Sequence, residues 1–238
     1  HRRHSGSAAF RSGRMSTGQI FRHFPQRVQL SGSQASCRKL VLLNNEKIAP
    51  SGQTARQKGR LAIADTAPYY TGGQPADVTS VSYLLLGLHS YHYYGDLSIA
   101  NERYEGFKRW VEYLLTRQTG YIMEYYYYAD WVAPAGFPDV KTNDLYVSTL
   151  FLNWHLNILA RLASLTGRDE DHRKYSAMAE ESRQAINRKN YHTETGNYAS
   201  GTQTENAMAM NLGIAEPGER AKIAANVAKD IVNHGVHS

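Results

Sequence analysis

From about residue 61 onward, apolar residues recur at the spacing of helices rather than of strands. Residues 78–94 place Val81, Leu84, Leu85, Leu88 and Tyr91 on one face and then meet Gly95-Asp96 as a stop. Residues 98–117 repeat the pattern with Tyr104, Phe107, Val111 and Leu114, with Glu105 and Arg109 one turn apart on the outer side. Gly120 is the expected end of that element. Residues 143–166 follow Thr142 as a plausible cap and run Leu145, Val147, Leu150, Phe151, Trp154, Leu156, Ile158, Leu159, Leu162. A helix apolar nearly all round should be buried on most sides, and Gly167 should end it.

Residues 169–190 carry Tyr175, Met178, Ser182 and Ile186 on one stripe and charge elsewhere. Residues 202–213 are short and rich in Ala and Met, and residues 217–234 open with Pro217 and carry Ile223, Val227 and Ile231 before Gly235. Only the tyrosine run and the 191–201 stretch suggest anything strand-like. The pattern predicts an all-α fold of six helices paired as hairpins, buried helices alternating with amphipathic ones in two layers.

Charge divides the chain. Residues 1–60 hold twelve Lys and Arg against one acid, Glu46, whereas residues 61–238 hold fifteen against twenty, so the overall +6 belongs to the first quarter. All 17 Tyr and all three Trp lie beyond residue 68. The first 60 residues have one sustained apolar run, Leu40–Leu43, and are expected to be a poorly structured basic segment. Three readings of it are open: a basic arm for nucleic acid or an anionic surface, a transit peptide, or an out-of-frame or misjoined start. Aromatic stacking residues are sparse there, which disfavours nucleic acid as a partner. The single cysteine, Cys37, excludes an intrachain disulfide and a Cys-rich metal site. No run of about 18 apolar residues is present, so no membrane span is expected.

Candidate chemistry concentrates around Tyr125–Gly136. Asp130 and Trp131 stand between a tyrosine cluster and a Pro/Gly turn. A ring that covers the C–H face of a sugar beside a carboxylate that takes its hydroxyls is one reading. A loop-anchoring Trp with a turn-capping Asp is the other. Asp169, Glu170, Asp171, Glu180 and Glu181 read as a solvated helix face. Glu124, Asp139 and Asp144 lie nearer the candidate site but show no paired spacing for acid–base work. His89 and His92 are three apart, yet no third metal ligand is evident, and they read with His155 as core or surface histidines. No cofactor and no metal is expected.

An ordered set of segments carries a family likeness. It runs Tyr94-Gly95-Asp96, the Tyr104–Leu114 helix, Tyr128–Pro134 (YADWVAP), Asp144–Thr149 (DLYVST), Leu162–Asp171 (LASLTGRDED) and Gly201–Met210 (GTQTENAMAM) with Gly213. Over residues 61–238 this resembles the catalytic domain of the bacterial α-L-rhamnosidases, among the six-hairpin glycosidases. The resemblance implies an (α/α)6 toroid with the sugar site at one mouth, of which this chain would hold about half the ring. It implies an inverting hydrolase of terminal α-L-rhamnose with a rhamnosylated glycan or glycoside as substrate. It also implies that Asp130 and Trp131 match the family's Asp-Trp pair, whose Trp lines the rhamnose pocket.

Gln203 and Thr204 match a recurrent Thr-Gln-Thr and would shape the pocket wall; capping by Thr202 is the alternative. The family's second pocket tryptophan falls in the segment matched by Gln74–Tyr83, where this chain has Thr79 or Ser80. The general acid of the family lies in an Asp-x-x-x-Arg-x-Glu stretch upstream of the matched region, and the general base follows a Thr-Gly turn beyond Ser238. Both catalytic carboxylates are therefore expected to be missing, and the chain alone is expected to be inactive. The fading of the pattern upstream of Gly59 favours the out-of-frame reading of residues 1–60. Other sugars on the same toroid, or a non-catalytic carbohydrate-binding remnant, are the alternatives. A half ring should expose apolar edges and aggregate.

Overall fold

The computed structural model describes residues 63, 76–126, 128 and 142–233. The basic segment 1–60, Asp130, Trp131, Asp139 and Gly235 lie outside the described residues. Among the described residues six helices and two short hairpins follow in order: α1 (Ser82–Tyr94), α2 (Ser98–Leu115), β1 (Gln118–Thr119), β2 (Ile122–Met123), α3 (Asp144–Leu165), α4 (Asp169–Asn190), β3 (Tyr191–His192), β4 (Asn197–Tyr198), α5 (Gln203–Asn211) and α6 (Arg220–Asn233). The architecture is all-α, as the apolar spacing predicts.

Consecutive helices pack as hairpins: α1 on α2, α3 on α4, α5 on α6. The odd helices also touch in sequence, α1 on α3 and α3 on α5. Helix α3 is therefore covered from several sides and buries fourteen side chains. The exceptions are Leu145 in its first turn, expected in the core but exposed, and Phe151 and Trp154 further along, which are half-buried. Helix α4 buries only Tyr175, Ala179, Ser182, Ala185 and Ile186. Asp169, Glu170 and Asp171 in its first turn and Arg188 and Lys189 in its last complement the helix dipole. Helix α6 buries Ile223 alone, with Val227 and Ile231 only half-covered.

One apolar cluster joins α1, α2, β2, α3 and α4 around Tyr83, Tyr104, Phe107, Trp110, Leu152, Leu156, Leu159 and Tyr175. Tyr83 meets Phe107 edge-on at 4.9 Å, a favoured geometry for aromatic pairs. A second cluster joins the start of α3 (Tyr146, Leu150) to Ile186, Tyr198, Ala209, Ile214 and Ile223. Within the first cluster, Trp110 Nε1 donates to His155 Nε2 at 3.1 Å, while His155 Nδ1 lies 2.8 Å from the Phe151 carbonyl. One tautomer, with the proton on Nδ1, satisfies both bonds. Burial pulls the His155 pKa down to about 4, against the opposing pull of the Phe151 hydrogen bond.

Several boundaries move by a few residues. Helix α1 starts at Ser82 because Asp77–Val81 is spent on a turn, with Ser80 N donating to Asp77 O and Val81 N to Thr79 O. Asn143, not Thr142, caps α3: its side chain accepts from Tyr146 N. Pro217 lies in the turn ahead of α6 rather than in its first turn. Gly120 does not end α2, which stops at Leu115. It opens a two-residue hairpin loop with Tyr121, at φ 58° and 64°, between β1 and β2. Such a loop matches strand twist only when both central residues have positive φ. Tyr121 is an uncommon residue there, and its hydroxyl donates to Glu181 on α4 at 2.7 Å. Among the described residues no helix is long and apolar enough to cross a membrane.

Candidate functional site

The two ends of the helical layers differ. At one end α1 passes to α2 through residues 95–97, and α3 to α4 through residues 166–168. The starts of α2 and α4 meet there, with the Arg168 guanidinium 4.2 Å above the Tyr104 ring. At the other end lie residues 116–126, 128, 142–143 and 191–202, with both β-hairpins. Binding residues concentrate on loops held by a rigid scaffold, so this end is the candidate site.

Its residues are tied to the starts of the odd helices. Met123 N donates to Thr149 Oγ1 at 3.1 Å, and Thr149 in turn donates to Leu145 O. Tyr125 donates through its hydroxyl to Ala76 O at 3.1 Å, under the Arg117 guanidinium at 5.0 Å. Two fully buried carboxylates complete the ties. Asp77 accepts from Thr79 N on Oδ1 and from Tyr128 N on Oδ2, at 2.8 and 2.9 Å. Glu205 accepts from Asn143 N on Oε1 at 2.8 Å, and from Ser200 Oγ and Thr202 N on Oε2 at 2.8 and 3.1 Å.

The Thr202–Glu205 pair forms a capping box at the start of α5. Thr202 thus takes the capping role. Gln203, the first residue of α5, is half-buried, and Thr204 is exposed. Asp130 lies two residues beyond the Tyr128 amide in the chain, and Trp131 three, both outside the described residues. The pocket assignments of Asp130, Trp131, Gln203 and Thr204 therefore remain expectations.

The other carboxylates divide. Glu124, Asp169, Glu170, Glu180 and Glu181 are exposed and Asp144 half-buried. Asp171 is more than a solvated residue: it accepts from Lys108 on α2 at 2.9 Å. Burial, the largest influence, pushes its pKa up, but hydrogen bonding and the charges of Lys108 and Lys174 together outweigh that and leave it below the ordinary value. Arg183 holds Glu180 down at about 2 and also reaches Glu216. His89 and His92 are exposed; burial and the nearby His89 and Arg161 lower the His92 pKa. Among the described residues no three His, Cys, Asp or Glu side chains gather as a metal cluster.

Sequence reasoning missed Asp77 and Glu205. Half of each role has a local signal. Thr202-x-x-Glu205 is a capping-box spacing, and Asp77 bonds its own chain two residues on, as an Asx turn does. The other half joins residues 51 and 62 positions apart and has no local signature.

The family model described as bacterial alpha-L-rhamnosidase 6 hairpin glycosidase domain matches residues 45–238. The chain belongs to this family. As a six-hairpin glycosidase domain it is similar to three solved α-L-rhamnosidases. The enzyme from Dictyoglumus thermophilum aligns at TM-score 0.70 and 25% identity, covering 84% of this chain and 22% of that one. The Streptomyces avermitilis enzyme, solved complexed with L-rhamnose, aligns at TM-score 0.71 and 17% identity, covering 85% and 18%. The Aspergillus terreus enzyme aligns at TM-score 0.67 and 18% identity, covering 84% and 23%. The chain thus spans about a fifth of the length of these structures. No curated protein matches it in sequence.

Proposed function

We propose that this chain forms one wall of the sugar pocket of an inverting glycoside hydrolase that removes terminal α-L-rhamnose from glycans or glycosides. Membership in the six-hairpin family supports the hydrolase class. The observation that carries the reading is the tied loop end: Tyr128 is held on Asp77 two residues before Asp130, and Asn143 is held on Glu205 beside Gln203. Trp131 would cover the apolar face of the sugar, and Asp130 would accept from its hydroxyls. Gln203 and Thr204 would contribute to the wall at the start of α5.

Inversion needs one carboxylic acid at the leaving oxygen and one carboxylate on the attacking water, about 6.5–9.5 Å apart. Asp77 and Glu205 are poor choices for either role, because both oxygens of each already accept hydrogen bonds. The acid–base pair is assigned, by family resemblance, to residues outside this chain. The chain by itself should therefore bind sugar without turning it over.

A second reading is a different sugar on the same toroid. It draws on Thr79 and Ser80, where the rhamnosidase pattern has a second pocket tryptophan. Titration of the chain with L-rhamnose and with D-glucose, followed by tryptophan emission, separates the two. We expect saturable binding of L-rhamnose in preference to D-glucose, and a loss of about tenfold or more in Trp131→Ala. Preference for D-glucose would favour the second reading. Unchanged affinity in Trp131→Ala would remove the pocket assignment. Release of nitrophenol from an aryl α-L-rhamnoside by the chain alone would overturn the placement of the acid–base pair.

A further inference from the structure

We infer that Asp77 and Glu205 are positioning residues for the sugar-contacting segment, each holding one end of it. The inference rests on the reading of Asp130 and Trp131 as sugar contacts. Each carboxylate is fully buried, and each divides its oxygens in the same way. One oxygen is used locally: Asp77 Oδ1 on Thr79 N, and Glu205 Oε2 on Thr202 N and Ser200 Oγ. The other reaches across the fold to a backbone N–H at one end of the segment. These are Tyr128 N, two residues before Asp130, and Asn143 N, the cap of α3.

Every one of these partners presents an N–H or O–H donor to the carboxylate. An amide in place of either acid would turn an NH2 group toward a backbone N–H and forfeit a bond, although its size is the same. The chemistry therefore calls for acids at two buried positions that perform no proton transfer. A buried carboxylate is costly unless its oxygens are satisfied, so the segment's amides and the acids stabilise one another. Two residues of chain reach about 7 Å at most and three about 11 Å, so the Tyr128 tie limits how far from it Asp130 and Trp131 can lie. The Asn143 tie joins the far end to the start of α5, where Gln203 stands. Sugar affinity should then depend on both acids even though neither touches the sugar.

The test uses the full chain with Asp77→Asn, Glu205→Gln and, as a control at the opposite end, Lys108→Met. Two quantities are read in each: the affinity for L-rhamnose, and the acrylamide quenching of Trp131 emission, obtained by difference from the same protein carrying Trp131→Phe. We expect Asp77→Asn and Glu205→Gln each to weaken L-rhamnose binding on the order of tenfold and to change Trp131 quenching. Lys108→Met should lower the melting temperature and leave both quantities alone. A role confined to stability would move the melting temperature in all three and spare Trp131. Wild-type affinity and wild-type quenching in both acid variants would overturn the inference while leaving the sugar reading intact. If the unaltered chain binds no sugar, the proposed function fails, and Trp131 quenching alone decides: a change in the acid variants upholds the positioning role, and no change overturns it.

Discussion

The two ends of this helical stack are closed by different physics. At the turn end the chain reverses in three residues, and backbone geometry does most of the work: Gly95 and Gly167 sit at φ 67° and 72°. At Gly167 the chain leaves α3 in a Schellman-like cap, with Arg168 N donating to Ala163 O and Gly167 N to Ser164 O. Side-chain contacts there include Arg168 with Asn101 at the surface and the same guanidinium over the buried Tyr104 ring. At the loop end, longer connections carry backbone amides that local turns do not satisfy. Buried acids take them up instead. A short turn is determined by its own residues, whereas a long loop needs partners from elsewhere in the fold, and those partners become part of the site.

The sharpest way to break this comparison is Glu205→Ala. It removes the acceptor of Asn143 N, Thr202 N and Ser200 Oγ at once, and leaves buried donors unpaired. A loss of about 3 kcal/mol is expected by chemical denaturation. A loss below about 1 kcal/mol would show that the loop end is not held as described.

Acid should destabilise the core that both ends share, by a comparable amount. His155 is buried and neutral, with its pKa drawn from an ordinary 6.5 down to about 4. Between those values the unfolded chain binds the proton and the folded chain does not, so stability rises with pH across that window. Its contribution is full above about pH 6.5 and falls by about 3 kcal/mol as the pH drops to 4. Denaturation midpoints of the chain and of His155→Gln, measured at pH 7 and pH 4.5, check this. The difference should shrink in the variant.

At the turn end, Gly167→Ala meets no steric obstacle but must hold φ at 72°. About 1 kcal/mol of destabilisation is expected, with L-rhamnose affinity unchanged. An affinity loss there would couple the two ends and weaken the contrast. The smallest effect should come from the outer face. Arg183→Ala removes contacts with Glu180 and Glu216, yet the pairs are solvent-exposed, and below about 1 kcal/mol is expected, shrinking further in salt.

Much of this architecture is legible in the apolar spacing alone. The helix spanning residues 169–190 has the bounds that its stripe and charged flanks indicate, and α2, α3 and α5 fall within a few residues of their expected places. Where sequence and structure differ, a competing local or tertiary bond explains it. Asn143 outcompetes Thr142 as cap because its side chain reaches Tyr146 N, while Thr142 is buried. Gly120 signals a turn, but the turn joins two strands of two residues each, too short to show alternation. Leu145 fits an apolar period yet sits on the exposed first turn of α3. The sequence proposes a place for the candidate site, the stretch around residues 121–136, and carries no signal for the long-range ties on Tyr128 and Asn143.

The sequence by itself determined the helices, their order and the family, because helix periodicity and capping are read over a few neighbouring residues. Even the local half of each buried acid was written there, in Asp77 beside Thr79 and in Thr202-x-x-Glu205. Only the tertiary structure decided which distant amides those acids would take. Tyr128 and Asn143 reach their carboxylates across 51 and 62 residues. Such pairings arise when layers of helices bring loop ends together, and no local spacing encodes them.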